Sequence, residues 1–358
     1  MDFLTQKLAD VYKWKSLQPI PKIELPESPI PLVSTNTKIG VEVEVENIRG
    51  PIRYDSGFWV IKEDGSLRNH GYEFMSYPIE GNEIAYAINN LFNALPDAAD
   101  FSERTSIHVH VNVRNFTVQR LLNVVLLYLV FEKTLYRFAG PYRYKNIFCV
   151  PIQETRIPVT IQNYLIRFRL NEFIHEWNKY SGLNLLPVKQ FGTIEYRMMY
   201  GHREQDYLLR WINILLAIHT TAKEYQFMEL FNMIQQLNSN SLYGDFLQLV
   251  FKEQSACLMG PNLKDEMETG VATVKLISLP SSFHKMLIEK LSNDSDLLRT
   301  LGITTELTTK EGMKIPEPGI YDAYIQQAVN GNNQMRVGQY IINQPARWVD
   351  QIIVDDPQ

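Results

Sequence analysis

IGVEVEVE, residues 39–46, decides the fold. Side chains alternate across a β-strand, so Val41, Val43 and Val45 share one face and Glu42, Glu44 and Glu46 share the other. Neighbouring carboxylates on that face stand about 6.6 Å apart, two residues of strand rise. At an effective dielectric of about 20, such a pair repels by about 2–3 kcal/mol. Water screens this on an open face. In a cleft, a hard cation such as magnesium takes the carboxylate oxygens instead. Taken alone, the strand fits a solvated acidic face as well as a ligand set.

Two more strands carry polar chemistry in the same way. In SIHVHVNV, residues 106–113, Ile107, Val109, Val111 and Val113 face a core while Ser106, His108, His110 and Asn112 face away. Paired histidines on a strand ligate metal or contact phosphate, or are simply exposed. A zinc site would lack a cysteine partner nearby. In GTIEYRMM, residues 192–199, Ile194, Tyr196 and Met198 oppose Thr193, Glu195 and Arg197. Glu195 and Arg197 read as a surface ion pair of little worth, or as a metal ligand beside an anion clamp. Glu73 lies in HGYEFMS on a strand expected over 72–77, and is either a ligand or an exposed strand residue. Asp64 lies in KEDGSL, in the turn linking that strand to one over 58–62, where Asp-Gly is common turn chemistry.

The rest of the chain supplies a large core. It has 358 residues, 45% hydrophobic, and a net charge of -5, without the basic stripe that wholesale nucleic-acid binding requires. Its two cysteines, Cys149 and Cys257, exclude a disulfide framework and fit a reducing cytoplasm. The opening MDFLTQKLADVYKWK lacks the features of a secretory signal, and the apolar run Leu121–Phe131 is too short to span a bilayer. Spacing predicts an amphipathic helix over 1–15, a proline-rich lead-in over 18–37, and helices over 82–94, 118–138, 161–180 and 206–219, the last continuing or restarting to about 237. Weaker helical pattern falls near 282–300 and 319–330. The expected division is a lead-in at 1–37, a catalytic domain at 38–240, and a mostly helical extension at 241–358 joined loosely at Gly and Pro points. Strands interrupted by long helices indicate an α+β fold with helices on one sheet face.

The three polar faces then line one concave surface, where Glu42, Glu44, Glu73, His108 and Glu195 converge with Arg197 alongside. That donor set suits Mg²⁺ or Mn²⁺ bridging nucleotide phosphates.

The blocks IGVEVEVE, WVIKEDGSLRNHGYEFMSYP, SIHVHVNV and KYSGLNLLPVKQFGTIEYRMMYGHREQDYLLRWI together resemble the amidoligase family of the glutamine synthetase-like carboxylate–amine ligases. The resemblance covers about residues 39–215, and it rests on four blocks in order. It implies a curved antiparallel sheet with helices on one face. It also implies an ATP-dependent reaction, in which a carboxylate is phosphorylated and an amine displaces the phosphate to give an amide. By this resemblance Glu42, Glu44, Glu73, His108 and Glu195 are metal ligands. His110 lies nearer the nucleotide phosphates, Arg197 holds the transferred phosphate or the carboxylate, and Asp64 supports a metal or the amine. A Walker-type GxxxxGK[ST] loop is absent, as the resemblance implies. The implied partners are a carboxylate and an amine substrate, with a peptide or other macromolecule among the candidates and homo-oligomerisation open. Two rival readings use the same residues: a metal-dependent hydrolase, and a non-catalytic binding or structural descendant.

Overall fold

The computed structural model describes residues 3–17, 19–20, 24–238 and 240–277, and beyond these the backbone of five short strands. A short helix α1 (Leu8–Val11) precedes β1 (Ile39–Val45), β2 (Trp59–Glu63), β3 (Tyr72–Ser76), α2 (Asn82–Ala94), β4 (Ser106–Asn112) and α3 (Val118–Ala139). Then come α4 (Ile157–Arg167), α5 (Leu170–His175), β5 (Leu183–Asn184), α6 (Leu186–Phe191), β6 (Thr193–Tyr200), α7 (Gln205–Glu224) and α8 (Phe227–Gln235). Three helices follow: α9 (Asn240–Phe251), α10 (Ser255–Leu258) and α11 (Leu263–Lys275).

The first six strands form one open sheet in the order β2-β3-β1-β4-β6-β5, and every neighbouring pair is antiparallel. β1 is central because its valines are fully buried: Val41, Val43 and Val45 pack with Ile107, Val109 and Val111 of β4 and Ile194, Tyr196 and Met198 of β6. α3 is apolar on nearly all sides, which only a helix covered on all sides tolerates. It packs against β6, α7, α8 and α11. This is the architecture the alternating patterns imply, an α+β fold with an open antiparallel sheet. Among the described residues, no helix is long and apolar enough to cross a membrane.

Three expectations change. The helix over 1–15 shrinks to Leu8–Val11, because the chain spends its backbone groups elsewhere: Leu8 N–H donates to Phe116 O, and Val118 and Gln119 N–H donate to Gln6 and Leu4 O, each at 2.9 Å. The helix over 161–180 is two helices, broken where Phe168 takes a left-handed φ of 56° and its ring lies tilted against Phe3 at 3.8 Å between centroids. Leu247, Met267, Val271 and Val274, after residue 240, belong to the same core cluster as the sheet. Finally, the segment after 300 is not helical where it is described. β7 (Leu307–Thr309), β10 (Tyr340–Asn343) and β9 (Gln334–Val337) pair, as do β11 (Gln351–Ile353) and β8 (Tyr324–Gln326), so a strand lies within the helix expected at 319–330. Aromatic and β-branched residues there favour extended pairing over helix. The helix expected at 282–300 lies outside the described residues.

Gly270 sets how closely α11 sits on α3. A Cβ on Gly270 would collide with the Leu129 carbonyl oxygen and the Val130 backbone. Gly270→Ala should therefore lower stability by about 1–3 kcal/mol, the usual cost of overpacking. Urea unfolding measures it, and an unchanged midpoint would mean that α11 is not docked as described.

Candidate functional site

Residues directly opposite in adjacent strands share a face. In β1 and β4, Glu42 lies opposite His108, and in β1 and β3, Glu44 lies opposite Glu73. In β4 and β6, His110 lies opposite Glu195. The acids and histidines therefore converge on the face away from the valines. Glu42 Oε2 accepts from His108 Nδ1 at 3.0 Å, and Glu42 Oε1 lies 3.2 Å from His110 Nε2. Glu195 Oε1 is 3.5 Å from His108 Nδ1 and 4.0 Å from His110 Nε2. The ligand-type atoms form two groups, Glu42–His110–Glu195 and Glu42–Glu73–His108, with all atoms of each group within 4.8 Å. Glu42 belongs to both.

The electrostatics follow from packing carboxylates together in a poorly solvated place. Burial works to raise the Glu42 carboxyl, but the hydrogen bond to His108 and the nearby charge of His110 and His108 override it and hold it far below the usual range. Glu195 is likewise lowered: burial opposes ionisation, and the charges of His108, His110 and Arg197 win. Glu73 has the opposite balance. Burial first, then the negative charge of Glu42, pushes it up to about 7. Burial acts to lower His110, and its contact with Glu42 raises it instead.

Supporting contacts orient these groups. Ser106 donates both its N–H, at 2.8 Å, and its hydroxyl, at 2.6 Å, to Glu44 Oε2, and its hydroxyl oxygen lies 2.8 Å from His108 Nε2. Thr193 Oγ1 lies 3.0 Å from His110 Nδ1. Asn184 Nδ2 donates to Glu195 Oε2 at 2.7 Å. Arg197 donates from NH1 to Glu195 Oε1 and from Nε to the Phe148 carbonyl at 3.3 Å. A register shift between β4 and β6, where Arg197 and Met198 together face His108, lies beside this arginine.

Of the residues expected in the site, Glu42, Glu73, His108, His110, Glu195 and Arg197 come together. His110 joins the acids directly rather than standing apart from them. Glu44 is buried beside them, with one oxygen committed to Ser106. Asp64 sits in the turn after β2, where its Oδ1 accepts the Ser66 N–H at 2.8 Å, and it is in neither ligand group. Ser106 and Thr193 were visible as neighbours on the polar face. Asn184 and the Phe148 carbonyl were not, because they reach the site from an edge strand and a loop that no periodicity announces.

That loop is fixed from the helix below it. Both oxygens of the fully buried Glu132, on α3, accept backbone N–H groups: Ile152 at 2.6 Å and Gln153 at 2.9 Å. Gly182 O accepts the Arg197 N–H, and a Cβ on Gly182 would collide with the Tyr128 and Tyr136 hydroxyls. A cleft of about 250 Å³ adjoins the cluster on the other side, bounded by Glu42, His110, Gly40, Asn112, Met75 and Phe191 among others.

Fold and site together define an open-sheet α+β protein with a convergent acid–histidine centre flanked by one arginine. Residues 52–219 match the family model described as "Putative amidoligase enzyme", a name that denotes an amide-forming ligase. β1, with Glu42 and Glu44, precedes the matched stretch; Glu73, His108, His110, Glu195 and Arg197 lie within it. No curated protein matches the chain.

Glu132 gives a test of this scaffold. Burial, outweighing its two backbone hydrogen bonds, raises its carboxyl to about 8. An acid whose folded pKa lies above its unfolded value contributes stability that is present at low pH and is lost as pH rises toward the folded value. Wild-type stability should therefore decline between about pH 5 and about pH 8, and Glu132→Gln, uncharged throughout, should flatten the slope. Urea unfolding across that range reads it; identical slopes would refute the buried-acid assignment.

Proposed function

We propose that the protein is an ATP- and divalent-metal-dependent carboxylate–amine ligase that forms an amide through an acyl phosphate. The observation that carries this reading is the convergence, on one sheet face, of Glu42, Glu73, His108, His110 and Glu195 with Arg197 at their edge. The donor set fits a hard divalent ion such as Mg²⁺ or Mn²⁺. A further sign of fit is His110 Nε2, a buried nitrogen that has no hydrogen-bond partner although it lies 3.2 Å from Glu42 Oε1. Glu42, Glu73, His108, His110 and Glu195 would hold the ion, and Glu44 would orient His108 through Ser106. When bound, the ion supplies positive charge to the nucleotide phosphates.

The chain's own residues do the remaining work. The cleft beside His110 offers room for the nucleotide, with its phosphates toward the acid–histidine cluster. Glu195 and the Phe148 carbonyl fix the Arg197 guanidinium in two directions, so its remaining N–H donors are set before an anion arrives. A donor fixed in advance stabilises charge that builds in the transition state without reorganisation. Asp64 stands at the turn beside Glu73, where its carboxylate would attract an incoming ammonium. The free cysteines Cys149 and Cys257 support the reducing cytoplasm as the protein's compartment.

Two measurements test it. ATP with Mg²⁺ should raise the melting temperature of the wild type, and Glu42→Gln, which removes the carboxylate common to both ligand groups, should abolish most of the shift. Phosphate release from ATP, assayed against pooled acids and amines, should require both pools. Arg197→Lys keeps the charge but loses the fork, and should slow release by about a hundredfold or more, equivalent to about 2.7–4 kcal/mol. Release indifferent to both pools, or equal in the two proteins, would sink the ligase reading and leave a hydrolase or a binding protein.

A further inference from the structure

Residues 12–17 lie outside the family-matched stretch, yet they end on Leu17, which lines the cleft. One side chain holds them there. Arg114, just past β4, lies 5.6 Å over the Trp14 ring. Its NH1 donates to the Lys15 carbonyl at 2.7 Å, and its Nε donates to the Phe191 carbonyl at 3.0 Å. Trp14 in turn donates from Nε1 to the Val188 carbonyl at 2.9 Å. Gly192, at φ +72°, makes the space for this: a Cβ there would collide with Arg114 Cγ and meet Trp14 Cε2 at 3.0 Å. The N-terminal segment, the end of β4 and the corner between α6 and β6 thus close around a single guanidinium.

The clasp shapes the cleft. In the strand order β3-β1-β4-β6, Met75 and Pro78 stand on the β3 side and Phe191 on the β6 side. Leu17, two residues beyond the clasped Lys15 carbonyl, also lines the cleft. Gly40 of β1 lies between, where even a Cβ would only touch His110 Cβ at 3.5 Å, so the floor is open. Asn112 Oδ1 accepts the Arg114 N–H at 3.0 Å, which leaves the Asn112 NH₂ as the donor available to a ligand. Two apolar sides over an open floor, with one fixed amide donor, suit a flat heteroaromatic ring better than a flexible aliphatic chain.

We infer that the Arg114-held N-terminal segment is the specificity wall of this cleft: Leu17, together with Phe191, sets the width open to a heteroaromatic base. This rests on the nucleotide reading given above, and it assigns a working role to residues that the family match does not reach.

The test uses the full chain and two probes, a ribose-labelled fluorescent ATP analogue with Mg²⁺, and Mn²⁺ alone followed by electron paramagnetic resonance. Leu17→Trp narrows the cleft and should weaken nucleotide binding by about tenfold or more, while Mn²⁺ affinity stays within about twofold. Leu17→Ala widens it and should reduce the preference for ATP over GTP in competition with the same analogue. Arg114→Gln should weaken nucleotide binding and also speed tryptic cleavage at the exposed Lys13 and Lys15, a readout that needs no ligand. Nucleotide binding indifferent to both Leu17 variants overturns the wall and leaves the ligase reading intact. A wild type that takes up Mn²⁺ but no nucleotide overturns both.

Discussion

The bond between Glu42 and His108 ties together the two central strands of the sheet at the point where like charges crowd most closely. Glu42 faces Glu73 on one side and Glu195 on the other, and a low-dielectric cleft makes that proximity costly. The two histidines of β4 offset it by reaching Glu42 on the adjacent β1, and Arg197 offsets it by pairing with Glu195 two residues away on its own strand. Antiparallel register decides whether this happens. A slip of one residue in β1 would turn its valines to the cleft and bury its glutamates among Ile107, Val109 and Val111. The hydrophobic side of the sheet thus enforces the geometry of its polar side.

The helices extend that enforcement outward. α3 is a core element along nearly its whole length, and it also carries Glu132, which anchors the loop whose carbonyl aims Arg197. Tyr136 of the same helix donates to the Cys149 carbonyl in that loop. A helix that packs against both the sheet and α11 has little freedom to shift, so the loop it holds inherits that rigidity.

Strands with strict two-residue alternation were legible in the sequence, and so were the residues on their polar faces, because alternation fixes facing without any knowledge of neighbours. IGVEVEVE, SIHVHVNV and the stretch around Glu195 each carried this information locally. What could not be read depends on partners distant in the chain. Leu4 and Gln6 give up helix for backbone bonds to Gln119 and Val118. Glu44 reads as a ligand from its spacing, but Ser106, 62 positions away, engages one of its oxygens. Asn184 reaches Glu195 from a two-residue strand too short to announce itself. The clasp on Trp14 was equally hidden, since an arginine after a strand looks like any solvated cation.

The position of β1 has a consequence for how the molecule can be divided. The family-matched stretch starts at residue 52, after β1 has ended, although β1 sits between β3 and β4 in the middle of the sheet. A fragment trimmed to the matched borders would keep β2 paired with β3, and β4 with β6 and β5, but would leave a gap between the two sets. Each would present a raw hydrogen-bonding edge flanked by valine-sized hollows, and such edges recruit strands from other molecules. Such a fragment would therefore self-associate and precipitate before any question of chemistry arose.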